Sequence, residues 1–359
     1  PNDTTKFLRG DGTWAVPSSG GLTKFTEAES TSAPNGTVYV DSLTAAASST
    51  NADAAIVPKG TGALLAAVPD NLTSGGNKRG QYAVDLQMIR NANTQIASGN
   101  RSVILGGYNN KSAADYSITG GESNNITGTH SVAFGSSNGI TGIASIAFGI
   151  SNTVSSDQSG AIGNTNNIGA SRYYAFAAGG NNTINGSGSY QTALGYNNTV
   201  SNNVNVGIGY QNTSSGENAI ATGRQNTASG NQSIAMGYLT TASNTSATAI
   251  GGAYTTASGV SSVAIGSNAI AGGSGAVALG TNNTRANGDY SFVAGYGHLA
   301  SAQGSFCLGI GSTASGFRSG AMGSDAHTFG ISARLAWSGQ QQGTACLLYT
   351  SPSPRDQRG

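Results

Sequence analysis

The chain of 359 residues carries a formal net charge of +1, and only 9% of its residues are charged, against about a quarter in an ordinary globular domain. Near-neutrality removes the electrostatic footprint of a nucleic-acid or anionic-membrane partner, and no apolar run is long enough for a transmembrane helix. Glycine, at 55 residues, is about twice its usual share, and the glycines fall on a period, which separates the chain from a disordered one.

The first ninety residues carry fifteen charged residues and five of the seven prolines, with no clear repeat. They begin at Pro1 without a basic region leading into an apolar core, so no signal peptide is visible, and, with no initiator Met, the true start is expected upstream. Thr37-Val38-Tyr39-Val40 and residues 62–68 are expected to be short strands, and residues 71–77 a turn or linker. Residues 82–90 fit either a strand or a short helix. We take 1–90 as a small β-rich attachment region.

From about Arg101 a five-residue phrase keeps returning: a small or polar residue, an apolar one, usually Ala, another apolar one, then Gly. Ser131-Val132-Ala133-Phe134-Gly135 and Ser262-Val263-Ala264-Ile265-Gly266 are clear instances. The closing glycines run from Gly106 and Gly121 through Gly209 and Gly223 to Gly309 and Gly323, in steps of 14, 15 or 16 residues. A fixed short period of this kind is the mark of a solenoid. A more polar phrase lies between, such as Asn226-Thr227-Ala228-Ser229-Gly230. Each repeat therefore reads as two short strands joined by Gly/Asn turns, both residues tolerating the positive φ of a tight corner. Along the first strand, bulky residues at the second and fourth places face one way and the small third residue the other. The pattern leaves open which face lines the coil. A strand apolar on both faces needs cover on both sides, and one thin coil cannot supply it, so neighbouring chains are expected to.

The repeat region has no proline, as a ladder using every N–H requires. Only 13 of the 31 charged residues lie between Asn91 and Ala345, since like charges stacked about 4.8 Å apart would repel. The expected architecture is all-β: a β-roll or solenoid of about sixteen repeats, packed against neighbouring chains, over residues 91–323. The two 16-residue steps around Arg172–Tyr190 call for local bulges or a small protruding loop. Residues 324–345, with Leu335-Ala336-Trp337, read as the start of a truncated C-terminal region. Residues 346–359, from Cys346-Leu347-Leu348-Tyr349 onward, look like a translated sequencing adapter. Cys307 is then the one authentic cysteine, and it occupies the Ala place of its repeat.

These residues resemble two known groups. The stretch from Ser102 to Gly323 resembles the YadA-like head of trimeric autotransporter adhesins, whose signature phrase is like Ser262–Gly266. That resemblance implies the left-handed parallel β-roll and the homotrimer. Ala175-Phe176-Ala177-Ala178-Gly179 and Asn205-Val206-Gly207-Ile208-Gly209 depart from the phrase. The N-terminal phrases are similar to tail fibre proteins of tailed phages: Lys6-Phe7-Leu8-Arg9-Gly10-Asp11-Gly12-Thr13-Trp14-Ala15-Val16-Pro17, Val57-Pro58-Lys59-Gly60-Thr61-Gly62-Ala63, and Gly75-Gly76-Asn77-Lys78-Arg79-Gly80 leading into Ala97-Ser98-Gly99. Their order, followed by the repeat, favours a phage fibre over a bacterial adhesin.

No catalytic, cofactor or metal site emerges. Arg9-Gly10-Asp11 is a chance match to an integrin-binding tripeptide. The Asn-x-Ser/Thr triplets at Asn125 and Asn212 follow from composition. His130, His298 and His327 are too scattered for a metal site and read as solvated turn residues. Asp115 and Asp289 lie too many coils apart to act as a carboxylate pair. The sequence leads us to expect a non-enzymatic virion tail fibre shaft. Its partners would be phage tail or baseplate proteins at the N-terminal region, and a bacterial surface glycan or protein at a distal tip beyond Ala345. The alternatives are a bacterial trimeric autotransporter adhesin on the cell surface, and a tailspike polysaccharide depolymerase whose catalytic part is missing.

Overall fold

A computed structural model describes residue 51 and residues 55–338 except 171, 172 and 187, together with the strand backbone at 7–8, 14–15, 25–30, 40–45 and 346–348. The chain divides into two units, Pro1–Lys59 and Gly60–Gly359. In the first, Phe7–Leu8 pairs antiparallel with Trp14–Ala15, and Phe25–Ser30 with Val40–Ala45. Of the strand expected at Thr37–Val40, only Val40 falls on described residues.

The second unit is an all-β parallel solenoid with no helix among the described residues. Each coil contributes a long strand, such as Val132–Ser136, and a short one, such as Gly139–Ile140. Long strands stack on long strands and short on short: Val132 pairs with Ile146 and Ile140 with Val154, each fourteen residues on. The stack is open, because every long strand is bonded to the coil before and the coil after, and the described pairings leave its two ends unjoined. It starts at Leu64–Leu65 and Val84–Asp85, inside the stretch read as an attachment region, and residues 82–90 hold a two-residue strand. At the other end Leu335–Ser338 pairs in parallel with Gly320–Ser324, so this stretch adds one more coil.

The alanine face lines the coil. Ala133, Ala147, Ala264 and Ala278 are fully buried, and Cys307 stands in the same column. Opposite them, the short strands turn inward Ile126, Ile140, Val154, Ile168, Ile184 and Val200, and then, from Ala228 onward, only alanine. The short strands thus fill the interior with Ile and Val in the first half and with alanine in the second.

The closing glycines have a double cause. Gly209 sits at φ +116°, and a Cβ there would lie 2.1 Å from the carbonyl oxygen of Gly223 in the next coil. Only glycine combines that backbone with that approach. The first coil corrects the sequence reading: Gly107, not Gly106, pairs with Gly121 and meets its carbonyl, while Gly106 forms a bulge with open space around it. The two remaining corners are left-handed single residues, as at Ser137 (φ 59°) and Ala144 (φ 53°). Two coils are longer by two residues, since Ala161 pairs with Ala177 and Ala177 with Ala193. Both insertions fall on the corner before the long strand, where Tyr174 and Tyr190 stack at 5.1 Å.

Candidate functional site: the faces and ladders of the coil

Because alanine points inward, the bulky second and fourth residues of each long strand point out. They form two apolar columns, one through Val263 and Val277, the other through Ile250, Ile265 and Leu279. In a single chain these side chains stay part-exposed: Ile208 at 37%, Ile265 at 41%, Leu308 at 36%. Phe134 and Phe148 stack within the same column at 6.0 Å. Beside it runs a ring column in which Tyr196 stacks on Tyr210 at 5.7 Å and Arg224 lies over both Tyr210 and Tyr238. The columns lapse at Gly160, Ala178 and Gly180, leaving two open depressions of about 350 and 790 Å³. Thr192, Thr222 and Thr248 interrupt the columns with hydroxyls and Gly120 and Gly320 leave them bare; over the other coils the face is an apolar stripe of the kind that marks an interaction surface.

A second ladder runs through the interior. The Asn124 Oδ1 accepts from the backbone N–H and Nδ2 of Asn138, at 3.0 and 2.9 Å. Asn138 repeats this with Asn152, and Asn152 with Asn166. Each Nδ2 also donates to a carbonyl of its own coil and to a closing-glycine carbonyl of the next, for Asn152 those of Phe148 and Gly163. Every polar atom of the buried amide is therefore used, which is the condition for burying it without penalty. After Asn226 the position passes to Thr240, Thr255, Ala269, Thr284, His298 and Ser312, so the polar ladder is broken at Ala269, while Thr255, Thr284 and Ser312 still reach the glycine carbonyl. Asn152→Leu orphans several of these groups at about 1–3 kcal/mol each. It is expected to lower the urea midpoint clearly at unchanged slope, whereas Asn164→Ala on the surface leaves it within error. Equal midpoints would show the ladder to be dispensable.

The ladder begins at a buried polar cap that sequence reading missed. Gln87 Oε1 accepts from the Asn110 N–H at 2.7 Å, standing where the amide of an earlier coil would. Asp85, in the column of alanines, forms a buried ion pair with Arg79 at 2.6 Å. Arg90 donates to the carbonyls of Ser74 and Gln87, and burial, then Arg79 nearby, pulls its guanidinium below its ordinary value. Asp70 holds the adjoining turn, and hydrogen bonds from the Ser74 hydroxyl and the Leu72 N–H keep its carboxyl below the usual range. The available signal was Asp85 itself, a charge at the alanine place of Val84-Asp85-Leu86.

The residues singled out from sequence are dispersed. Asp115 Oδ1 accepts from the Asn100 N–H at 2.7 Å, and Asp289 Oδ1 from the Ser274 N–H at 2.9 Å, so both tie a corner to the preceding coil. His130 is an exposed corner residue stacked on Tyr116 at 4.8 Å. His298, expected in a solvated turn, is instead buried in the asparagine column, where its Nδ1 accepts from the Ser312 N–H at 3.1 Å. His327 lies beside Phe329. Cys307 is enclosed as expected, and burial pushes its thiol up to about 12. Among the described residues no three His, Cys, Asp or Glu side chains gather as a metal site. The region around Arg9–Asp11 lies outside the residues whose side chains are described.

No curated protein matches the chain. The model of the YadA head domain repeat matches residues 206–226, 228–253 and 257–283, and this part of the solenoid is similar to YadA head domain repeats.

Proposed function

We propose that the chain is the shaft of a homotrimeric, non-catalytic adhesive fibre that holds a receptor-binding tip away from a phage tail. The observation that carries this reading is the outward apolar stripe, half-exposed in one chain and recurring over many coils. Three such stripes packed about a common axis would bury what a single coil cannot, at about 25 cal/mol per Å² of apolar surface removed from water. The YadA head repeats support an adhesive, surface-exposed fibre, and the phrases before Gly99 favour a virion tail over a cell surface. A stiff rod presenting three tips converts weak contacts with a bacterial surface into avidity.

Sedimentation equilibrium of the full chain is expected to give the mass of three chains, independent of dilution over the accessible range. A compact, stable monomer would overturn the reading. Immunogold labelling of virions with an antibody to the repeat region distinguishes the two settings: label along tail fibres supports the phage shaft, and label on the bacterial envelope alone assigns the chain to a cell-surface adhesin.

A further inference from the structure

The back of the coil carries a different pattern. The short strands stack Thr199, Thr213, Thr227, Thr241 and Thr256 in register, one per coil. Each is followed two residues on, and therefore on the same face, by a serine, from Ser201 to Ser258. Between them the inward residue is fully buried and small: Val200, Ser214, Ala228, Ala242, Ala257. The result is a two-column array of hydroxyls, spaced by about 4.8 Å along the fibre and about 6.6 Å across it. Among the described residues none of these ten hydroxyls has a hydrogen-bond partner within the protein. The array ends where Ile270 and Arg285 replace threonine.

We propose that this face binds ice. An uncharged array matches an uncharged lattice. Glu217 and Arg224, the charged residues nearest in sequence, stand at a corner and on the long strand, off the short-strand face. A charge would hold its own shell of mobile water, while the threonine methyls beside the hydroxyls favour water held in a fixed pattern. The spacing along the fibre is close to a repeat of oxygen atoms on faces of hexagonal ice, so waters bridging the hydroxyls fall into register with the crystal. A sugar chain is a poorer fit, because the array has no aromatic face to stack on and no concavity to enclose a ring. The array lies on the opposite side of the coil from the apolar stripe, so it stays at the surface whether the chain is single or assembled.

The test uses the full chain, fluorescently labelled, with slow growth of an ice hemisphere from dilute protein. The wild-type chain is expected to be taken into the ice. Thr227→Tyr, a change that strand backbone accepts, lifts the neighbouring hydroxyls from the crystal and should reduce uptake by about tenfold or more, since multivalent contacts are lost together. Asn167→Tyr, on the same face outside the array, should be taken in like the wild type. Thr213→Val, which keeps shape and removes one hydroxyl, provides a second variant should Thr227→Tyr fail to give the wild-type circular dichroism, and it should reduce uptake measurably. Exclusion of the wild-type chain from ice overturns the proposal, as does uptake of both array variants equal to wild type. Retention on an uncharged polysaccharide, dextran or amorphous cellulose, together with exclusion from ice, also overturns it and assigns the face to a glycan.

Discussion

Gly209→Ala is expected to lower the urea midpoint of the solenoid by far more than a methyl added at an open glycine. Gly209 holds φ +116°, and the new Cβ would stand 2.1 Å from the Gly223 carbonyl oxygen, a backbone atom fixed by the next coil. Backbone strain of this type costs about 1–3 kcal/mol, and forcing an atom into a filled space costs about as much again. Neither can relax locally, because the carbonyl belongs to a ladder bonded on both sides. Gly139→Ala is the matched control: that glycine is part-exposed, has ordinary φ, and a Cβ there meets nothing within 4 Å. Its change should stay within about ±0.5 kcal/mol. Equal midpoints for the two variants would mean that the glycine period has some cause other than the close approach of successive coils.

That period is why the fold could be read from the residues. A parallel solenoid writes each coil with the same constraints, so a glycine at the close-approach corner and an alanine in the narrow interior recur until the pattern is unmistakable. Ala264 and Ala278 lie where their phrase implies. What the phrase could not say is which face is inside, because alanine and the Val/Ile columns are both apolar and alternation is blind to direction. The answer comes from volume: opposite the alanine column the second half of the solenoid also places alanine, and a coil that thin has no room for Ile265.

The places misread share a cause, which is that one residue was judged by its own chemistry and not by its column. His298 looks like a solvated polar residue, yet it stands fourteen residues before Ser312 and occupies the column that Asn226 and Thr284 also fill. Gly106 looked like a closing glycine because two glycines adjoin there, and only the pairing of Gly107 with Gly121 separates bulge from ladder. The cap of Arg79, Asp85, Gln87 and Arg90 was hidden by the opposite effect. End coils must satisfy groups that inner coils satisfy with each other, so their composition breaks the repeat, and charge in a charge-poor solenoid was taken for a separate region. The outward face was legible as an excess of apolar residues; what covers it was not, since a surface and its complement carry no mutual signal in one sequence.

The second large effect concerns that face. Ile265 stands in the outward column between Ile250 and Leu279 and is 41% exposed in one chain. Ile265→Lys should leave the coil itself intact, because the side chain points away from the interior. In the proposed trimer the same change would bring three ammonium groups towards one axis in an apolar surrounding, and each desolvated charge costs several kcal/mol, about the whole stability of a small assembly. The expected result is a shift of the full chain from three copies to one in sedimentation, and an unfolding midpoint that falls and loses the dependence on protein concentration that a trimer shows. Thr153→Lys, on the exposed short-strand face, should change neither, because its ammonium remains in water. An Ile265→Lys chain that still sediments as a trimer with unaltered stability would show that the apolar columns do not meet one another, and the stripe would then have to be covered by a different partner.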